Sequence, residues 1–153
     1  MDNAFGNFAI QKIIQYGTKH IQESIFARIL PNIKFLCTKM YGCRIVQMSI
    51  DVFKNDDDKL SMILKEINPL ILSLFQDKHG NHVLQKCLDI IKIQKLDELV
   101  FIIIKNGKQM SYNYYASRVI KKVLYKLPKK KAAEIIDSLL TDLKSFFVSN
   151  CSN

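Results

Sequence analysis

Acidic residues are scarce in this chain. Only 14 Asp and Glu stand against 23 Lys and Arg, which leaves a formal charge of +9 on 153 residues. A deficit of that size suits a polyanionic partner, either nucleic acid or an anionic membrane. A surface that simply favours lysine would give the same balance, so charge alone does not decide. No apolar run is long enough to span a bilayer, and no charged n-region followed by an apolar h-region opens the chain. No membrane partner is expected on these grounds. The four cysteines, Cys37, Cys43, Cys87 and Cys151, show no CxxC spacing. Three of them sit inside helical patterns, which fits a reducing, cytoplasmic setting better than a disulfide framework. There is no GxGxxG, P-loop or HExxH motif, and His20, His79 and His82 lack ligand spacing. Neither an enzyme nor a metal or cofactor site is expected.

What the chain does contain is a short pattern that returns four times, over residues 5–11, 41–47, 79–85 and 115–121. It reads Phe5-Gly6-Asn7-Phe8-Ala9-Ile10-Gln11, then Tyr41-Gly42-Cys43-Arg44-Ile45-Val46-Gln47. It returns as His79-Gly80-Asn81-His82-Val83-Leu84-Gln85 and as Tyr115-Ala116-Ser117-Arg118-Val119-Ile120-Lys121. Successive copies are 36, 38 and 36 residues apart. A period of that size marks a solenoid of stacked supersecondary units.

With Asn7, Cys43, Asn81 and Ser117 taken as position 0, the apolar residues recur at +2, +3 and +7. The +7 residues are Ile14, Ile50, Leu88 and Leu124. This spacing predicts one buried face of an α-helix. Gly or Ala at −1 predicts a tight start to that helix. A preceding helix is expected through Ile33, Leu36 and Cys37 and through Ile71, Leu74 and Phe75, opened by Pro31 and Pro69. A third helix is expected through Leu60, Ile63, Leu64 and Ile67 and through Leu96, Leu99, Val100 and Ile103. Ala132, Ile135, Ile136 and Leu139 keep the same spacing. The run Asn55-Asp56-Asp57-Asp58 reads as a solvated loop that absorbs the two extra residues of the longer interval. The expected fold is all-α: a curved α-solenoid of stacked three-helix repeats of about 36 residues, forming one partial array over 1–153. The first copy lacks a leading helix, and Val148 to Asn153 resemble an altered approach to a fifth motif. Exposed apolar ends and self-association through them are expected of such an uncapped array.

The apolar positions serve a core, but a polar triplet recurs with them. Positions 0 and +4 are one helical turn apart, on a face expected to lie opposite the buried +2/+3 face. Position +1 holds Phe8, Arg44, His82 and Arg118, each a flat plane. Position +4 holds Gln11, Gln47, Gln85 and Lys121. A lone Asn and Gln at i,i+4 amount to a helix-surface hydrogen bond, and a lone Gly-Asn to a turn or cap. Three near-complete copies in phase with the structural period are not explained that way. An amide offers donors and an acceptor to a base edge, and a flat side chain offers a stacking face worth ~1–3 kcal/mol per base. The pattern therefore predicts a reader of single-stranded nucleic acid, one base per repeat. The base-edge candidates are Asn7, Gln11, Cys43, Gln47, Asn81, Gln85, Ser117 and Lys121. The stacking candidates are Phe8, Arg44, His82 and Arg118.

At these residues the sequence resembles the Pumilio/PUF family of RNA-binding repeat proteins. The strings that carry the likeness begin at Phe5, Tyr41 and His79. The order Asn-Phe, Cys-Arg, Asn-His and Tyr-x-Ser-Arg looks like the second to fifth repeats of an eight-repeat array. The resemblance implies RNA on a concave face, antiparallel to the protein, with protein co-repressors on the convex face. It implies uracil for Asn7/Gln11 and Asn81/Gln85 and adenine for Cys43/Gln47, hence a 5′-UAU-3′ core. It also implies binding to the 3′ untranslated region of messenger RNA and repression of those messages. Lys121 stands where the family has Gln or Glu, so Ser117/Lys121 receives no base. Two rival readings remain at this stage. One is a PUF-like basic solenoid that binds structured RNA or DNA without sequence preference. The other is a protein-binding scaffold of the armadillo or HEAT kind.

Overall fold

The computed structural model describes residues 4–90 and 97–151, and all regular structure among them is helical. The chain forms two compact units, Met1–Ile90 and Ile91–Asn153.

In the first unit the three motif helices lie in a row. They are α1 (Ala4–Tyr16), α4 (Gly42–Val52) and α7 (Gly80–Ile90), with α1 against α4 and α4 against α7. Helix α2 (Lys19–Ile29) packs on α1. Short leading helices α3 (Ile33–Leu36) and α6 (Ile71–Gln76) each pack on the motif helix that follows. Helix α5 (Asp57–Ile67) packs on α3. Pro31 and Pro69 lie in 3-10 turns, Leu30–Asn32 and Asn68–Leu70, that separate each leading helix from the helix before it. Proline suits that place because its missing N–H is not needed in a first turn.

The periodic residues form the core. Ile14, Ile45, Val46, Ile50, Val83, Leu84 and Leu88 are buried, as are Ile33, Leu36, Leu74 and Phe75 of the leading helices. The first copy differs: Ala9 is exposed and Ile10 half-buried. Their equivalents in α4 and α7 are covered by an earlier motif helix, and none packs on α1 among the described residues. The Lys86–Asp51 ion pair, at 2.6 Å, joins α7 to α4. An exposed pair contributes only ~0.2–1 kcal/mol, so the apolar core sets the stacking.

The acidic run is only partly a loop. Asp56 caps α5 by accepting a hydrogen bond from the Lys59 N–H, and Asp57 and Asp58 form the first turn. Carboxylates are favoured there by the orphan N–H groups and positive pole of the helix.

In the second unit, α8 (Asp97–Ser111) and α10 (Lys129–Cys151) pack together, and α9 (Tyr114–Lys126) lies against both. Of the expected third helix, Leu96 lies outside the described residues. No proline marks the start of the leading helix here. Instead α8 bends at Asn106, whose backbone is non-helical (φ −116°, ψ 15°) and whose amide donates to the Ile102 carbonyl at 2.8 Å. Asn32 makes the same bond to the Arg28 carbonyl at the equivalent place. Helix α10 runs through the residues expected to approach a fifth motif, as far as Cys151; Ser152 and Asn153 lie outside the described residues. Tyr125, Ile136 and Leu140 are exposed on α9 and α10.

Cys37, Cys43 and Cys87 are free thiols and all buried. Burial pushes Cys37 and Cys87 up to about 12, with Coulombic repulsion from Cys43 and Asp77 adding to the shift at Cys37. Only a thiolate attacks a thiol reagent, so both should be inert near neutral pH. In a Cys43→Ser/Cys151→Ser background the native protein should label orders of magnitude more slowly than the denatured chain, at the rate of opening. Prompt labelling of the native protein would show that these helices are not packed as described.

Candidate nucleic-acid interface

Each triplet sits in the first turns of a motif helix, and local chemistry places it there. Asp77 accepts hydrogen bonds from the His79 and Gly80 N–H groups at 2.8 and 2.7 Å. Asn113 does the same for Tyr115 and Ala116 at 2.9 and 3.0 Å. Both cap their helices four residues before position 0. The glycine at −1 serves close packing rather than a special backbone angle, for no described glycine has positive φ. A Cβ on Gly42 would lie 2.5 Å from the Leu36 carbonyl oxygen, and one on Gly80 would lie 2.5 Å from Leu74 Cδ2. The leading helix therefore lies directly against the start of the motif helix.

In the first three motifs the position-0 side chain is largely covered, contrary to expectation, whereas Ser117 is exposed. Asn7, Cys43 and Asn81 are buried, the last completely. Motif helices α1, α4 and α7 pack side by side, which covers this flank in the first three copies. The two asparagine side chains orient the glutamine one turn on. Asn81 donates to the carbonyls of Asp77 and Lys78 at 2.9 and 3.0 Å, and its Oδ1 accepts from Gln85 Nε2 at 2.9 Å. Asn7 Oδ1 accepts from Gln11 Nε2 at 3.1 Å. Each half-buried glutamine thus keeps its Oε1 and one N–H, an acceptor beside a donor. In the second copy the Cys43 thiol donates to the Met40 carbonyl at 3.3 Å, and Gln47 Nε2 donates to the Cys43 carbonyl at 3.0 Å. Burial is also the first cause that raises the Cys43 pKa, so the group is a neutral thiol.

The flat residues at +1 remain accessible. Phe8, Arg44 and Arg118 are exposed and His82 is half-buried. An open groove of about 580 Å³ in the first unit brings together Asn7 and Gln11 of the first copy, Cys43 and Arg44 of the second and His82 of the third. It also takes in Met40, Tyr41, Lys78 and His79, and no carboxylate lines it. Phe8, Gln47, Asn81 and Gln85 lie outside its wall. The sequence reading did not single out Met40, Tyr41, Lys78 or His79 as site residues. The signal was available in the recurrence of Phe5, Tyr41, His79 and Tyr115 at −2.

The fourth triplet lies in the second unit and is built differently. Ser117 Oγ donates to the Tyr114 carbonyl at 2.7 Å, and Arg118 lies over the Tyr114 ring, 4.6 Å from its centroid. Lys121 Nζ lies 5.8 Å from the Tyr125 ring. Ser117, Lys121 and Tyr125 border a largely apolar groove of about 520 Å³ between α9 and α10.

Known proteins share this arrangement. The Pumilio-family RNA-binding repeat matches residues 3–30, 32–67, 76–103 and 108–140. A Pumilio domain-containing protein of Schizosaccharomyces pombe is 34% identical over 99 residues, covering 65% of this chain and 13% of that protein. Fem-3 mRNA-binding factor 1 of Caenorhabditis elegans is 26% identical over 155 residues, covering 94% of this chain and 24% of the relative. The Puf3 RNA-binding domain, solved with a Cox17 3′ UTR recognition sequence, superposes with a TM-score of 0.77 at 29% identity. That likeness covers 95% of this chain and 39% of the Puf3 chain. A Puf4 mutant gives a TM-score of 0.80 at 24% identity, over 95% of this chain and 44% of that one, which shows the fold. The chain thus spans a quarter or less of these two curated relatives and about two fifths of the solved domains. Four matched repeats, each containing one of the four motif helices, place this chain in the Pumilio (PUF) family of RNA-binding repeat proteins.

Proposed function

We propose that this chain binds single-stranded RNA sequence-selectively, with a 5′-UAU-3′ core read by its first three motifs. The observation that carries the reading is the locking of Gln11 and Gln85 by the buried oxygens of Asn7 and Asn81. A glutamine held that way presents an acceptor beside a donor, which complements the donor and acceptor on the pairing edge of uracil. The second motif differs in having a neutral thiol where the others have an amide. It takes adenine, as the family resemblance implies. Exposed Phe8 and Arg44 and half-buried His82 supply stacking faces.

The biological role proposed is repression of messenger RNAs that carry such elements in their 3′ untranslated regions. The setting is the cytoplasm, through protein co-repressors on the convex face. A relative named as an mRNA-binding factor and a neighbour solved with a 3′ UTR sequence support this reading.

A competition titration tests the base code. Two short RNAs, identical except for UAU in one and UCU in the other, compete for the chain at moderate salt. A preference for UAU of roughly 1–3 kcal/mol is expected, the usual cost of one mismatched base. Equal binding would abolish the code and leave a basic surface that binds RNA without preference.

A further inference from the structure

We propose that the fourth motif clamps an RNA phosphate instead of reading a base. The inference rests on the reading of the chain as a single-stranded RNA binder and assigns the one triplet that the base code leaves open. In the first and third motifs the +4 amide offers both an acceptor and a donor. Lys121 offers three N–H donors and no acceptor. Ser117 spends its proton on the Tyr114 carbonyl, so only its oxygen lone pairs can accept from a ligand. Arg118 is steadied by Tyr114, with its guanidinium over the ring and Nη2 donating to the phenol oxygen. Its other N–H groups add to the donors. Ser117, Arg118 and Lys121 are all exposed. Charged donors with almost no acceptor fit a phosphate better than the mixed edge of any base. Lysine binds phosphate as a point charge and does not need the flat geometry of a base edge.

The charge around this triplet points the same way. From Arg118 to Lys131 the chain has seven cations and no carboxylate. The nearest acidic residues that follow are Glu134 and Asp137 on α10. Lys129, Lys130 and Lys131 are exposed in the first turn of α10, which has no acidic residue. Cations are disfavoured at that pole of a helix, so the run works against local stability. Such a conflict is expected where a surface serves a ligand rather than the fold.

The test uses the whole chain and four RNAs of the form 5′-NUAU, in which N faces the fourth motif because RNA runs antiparallel to the protein. The four should bind within about three-fold of one another, against the roughly 5–150-fold that a mismatched base ordinarily costs. The salt dependence of binding is then compared for wild type, Lys121→Gln and a Lys129→Gln/Lys130→Gln double variant. Lys121→Gln should weaken binding at low salt and flatten the log–log slope by about 0.7, the release from one single-strand phosphate. The double variant should flatten it further in the same sense. Both should keep the wild-type ratio of UAU to UCU. A strong preference for one N that disappears in Lys121→Gln would overturn the clamp in favour of a base site. An unchanged slope in Lys121→Gln would overturn it as well. If wild type shows no UAU preference but Lys121→Gln still flattens the slope, the base code fails and the clamp stands.

Discussion

Replacing Cys43 with Asn should turn the preferred RNA from UAU to UUU. The third motif shows that the fold accepts an amide at this place. Asn81 is completely buried there, with its donors satisfied by the carbonyls of Asp77 and Lys78. The matching carbonyls in the second motif belong to Lys39 and Met40, and Met40 already accepts from the Cys43 thiol. With an amide oxygen available, Gln47 should leave the Cys43 carbonyl and take the posture of Gln85. Each base choice is worth about 1–3 kcal/mol, and loss of one preference adds to gain of the other. The relative affinity for UAU over UUU should therefore swing by about 2–6 kcal/mol. Competition titration of both RNAs against both proteins measures the swing, and a thermal melt checks that the variant folds. The reciprocal change, Asn81→Cys, shrinks the buried side chain and should shift the preferred core to AAU. Folded variants that both keep UAU would show that position 0 does not choose the base.

Gly42→Ala should cost about 1–3 kcal/mol of stability, while Gly6→Ala should gain about 0.5–1 kcal/mol. The two glycines occupy the same motif position in successive copies. A Cβ at 42 would meet the Leu36 carbonyl oxygen at 2.5 Å and its Cα at 2.9 Å, and backbone atoms cannot move aside as a side-chain tip can. Nothing lies within 4 Å of a Cβ at 6, so alanine there only improves helix propensity. Ala116 is tolerated in the fourth copy and is itself fully buried. Urea titration of the two variants decides the matter. Equal effects would mean that α3 does not lie against the start of α4.

The helices, their order and most of the core were legible because helical periodicity is local. Offsets of three, four and seven residues place apolar groups on one stripe whatever lies across from it. The prolines at 31 and 69 and the phase of the four motifs were legible for the same reason. Asp57 and Asp58 were misread as loop because a capping aspartate and an acidic first turn look like solvated polar sequence until the N–H groups they serve are seen. The bend at Asn106 has no proline to announce it, and its marker is an asparagine bonding back to the preceding turn.

The site divides along the same line. By itself the sequence determined that a polar triplet recurs in register with the repeat, which residues compose it, and that Lys121 breaks the pattern. Only the tertiary structure decided that Asn7, Cys43 and Asn81 are buried, that the Asn7 and Asn81 oxygens hold Gln11 and Gln85, and that Gln47 is held instead by the Cys43 backbone carbonyl. It alone separated Gly42 from Gly6, left Ala9 exposed where Ile45 and Val83 are covered, and brought residues of three motifs to one groove. The physical reason is that a pattern along one helix shows which face is apolar, whereas burial depends on what packs across from it. That neighbour is a helix from elsewhere in the chain, and its approach appears in no local spacing.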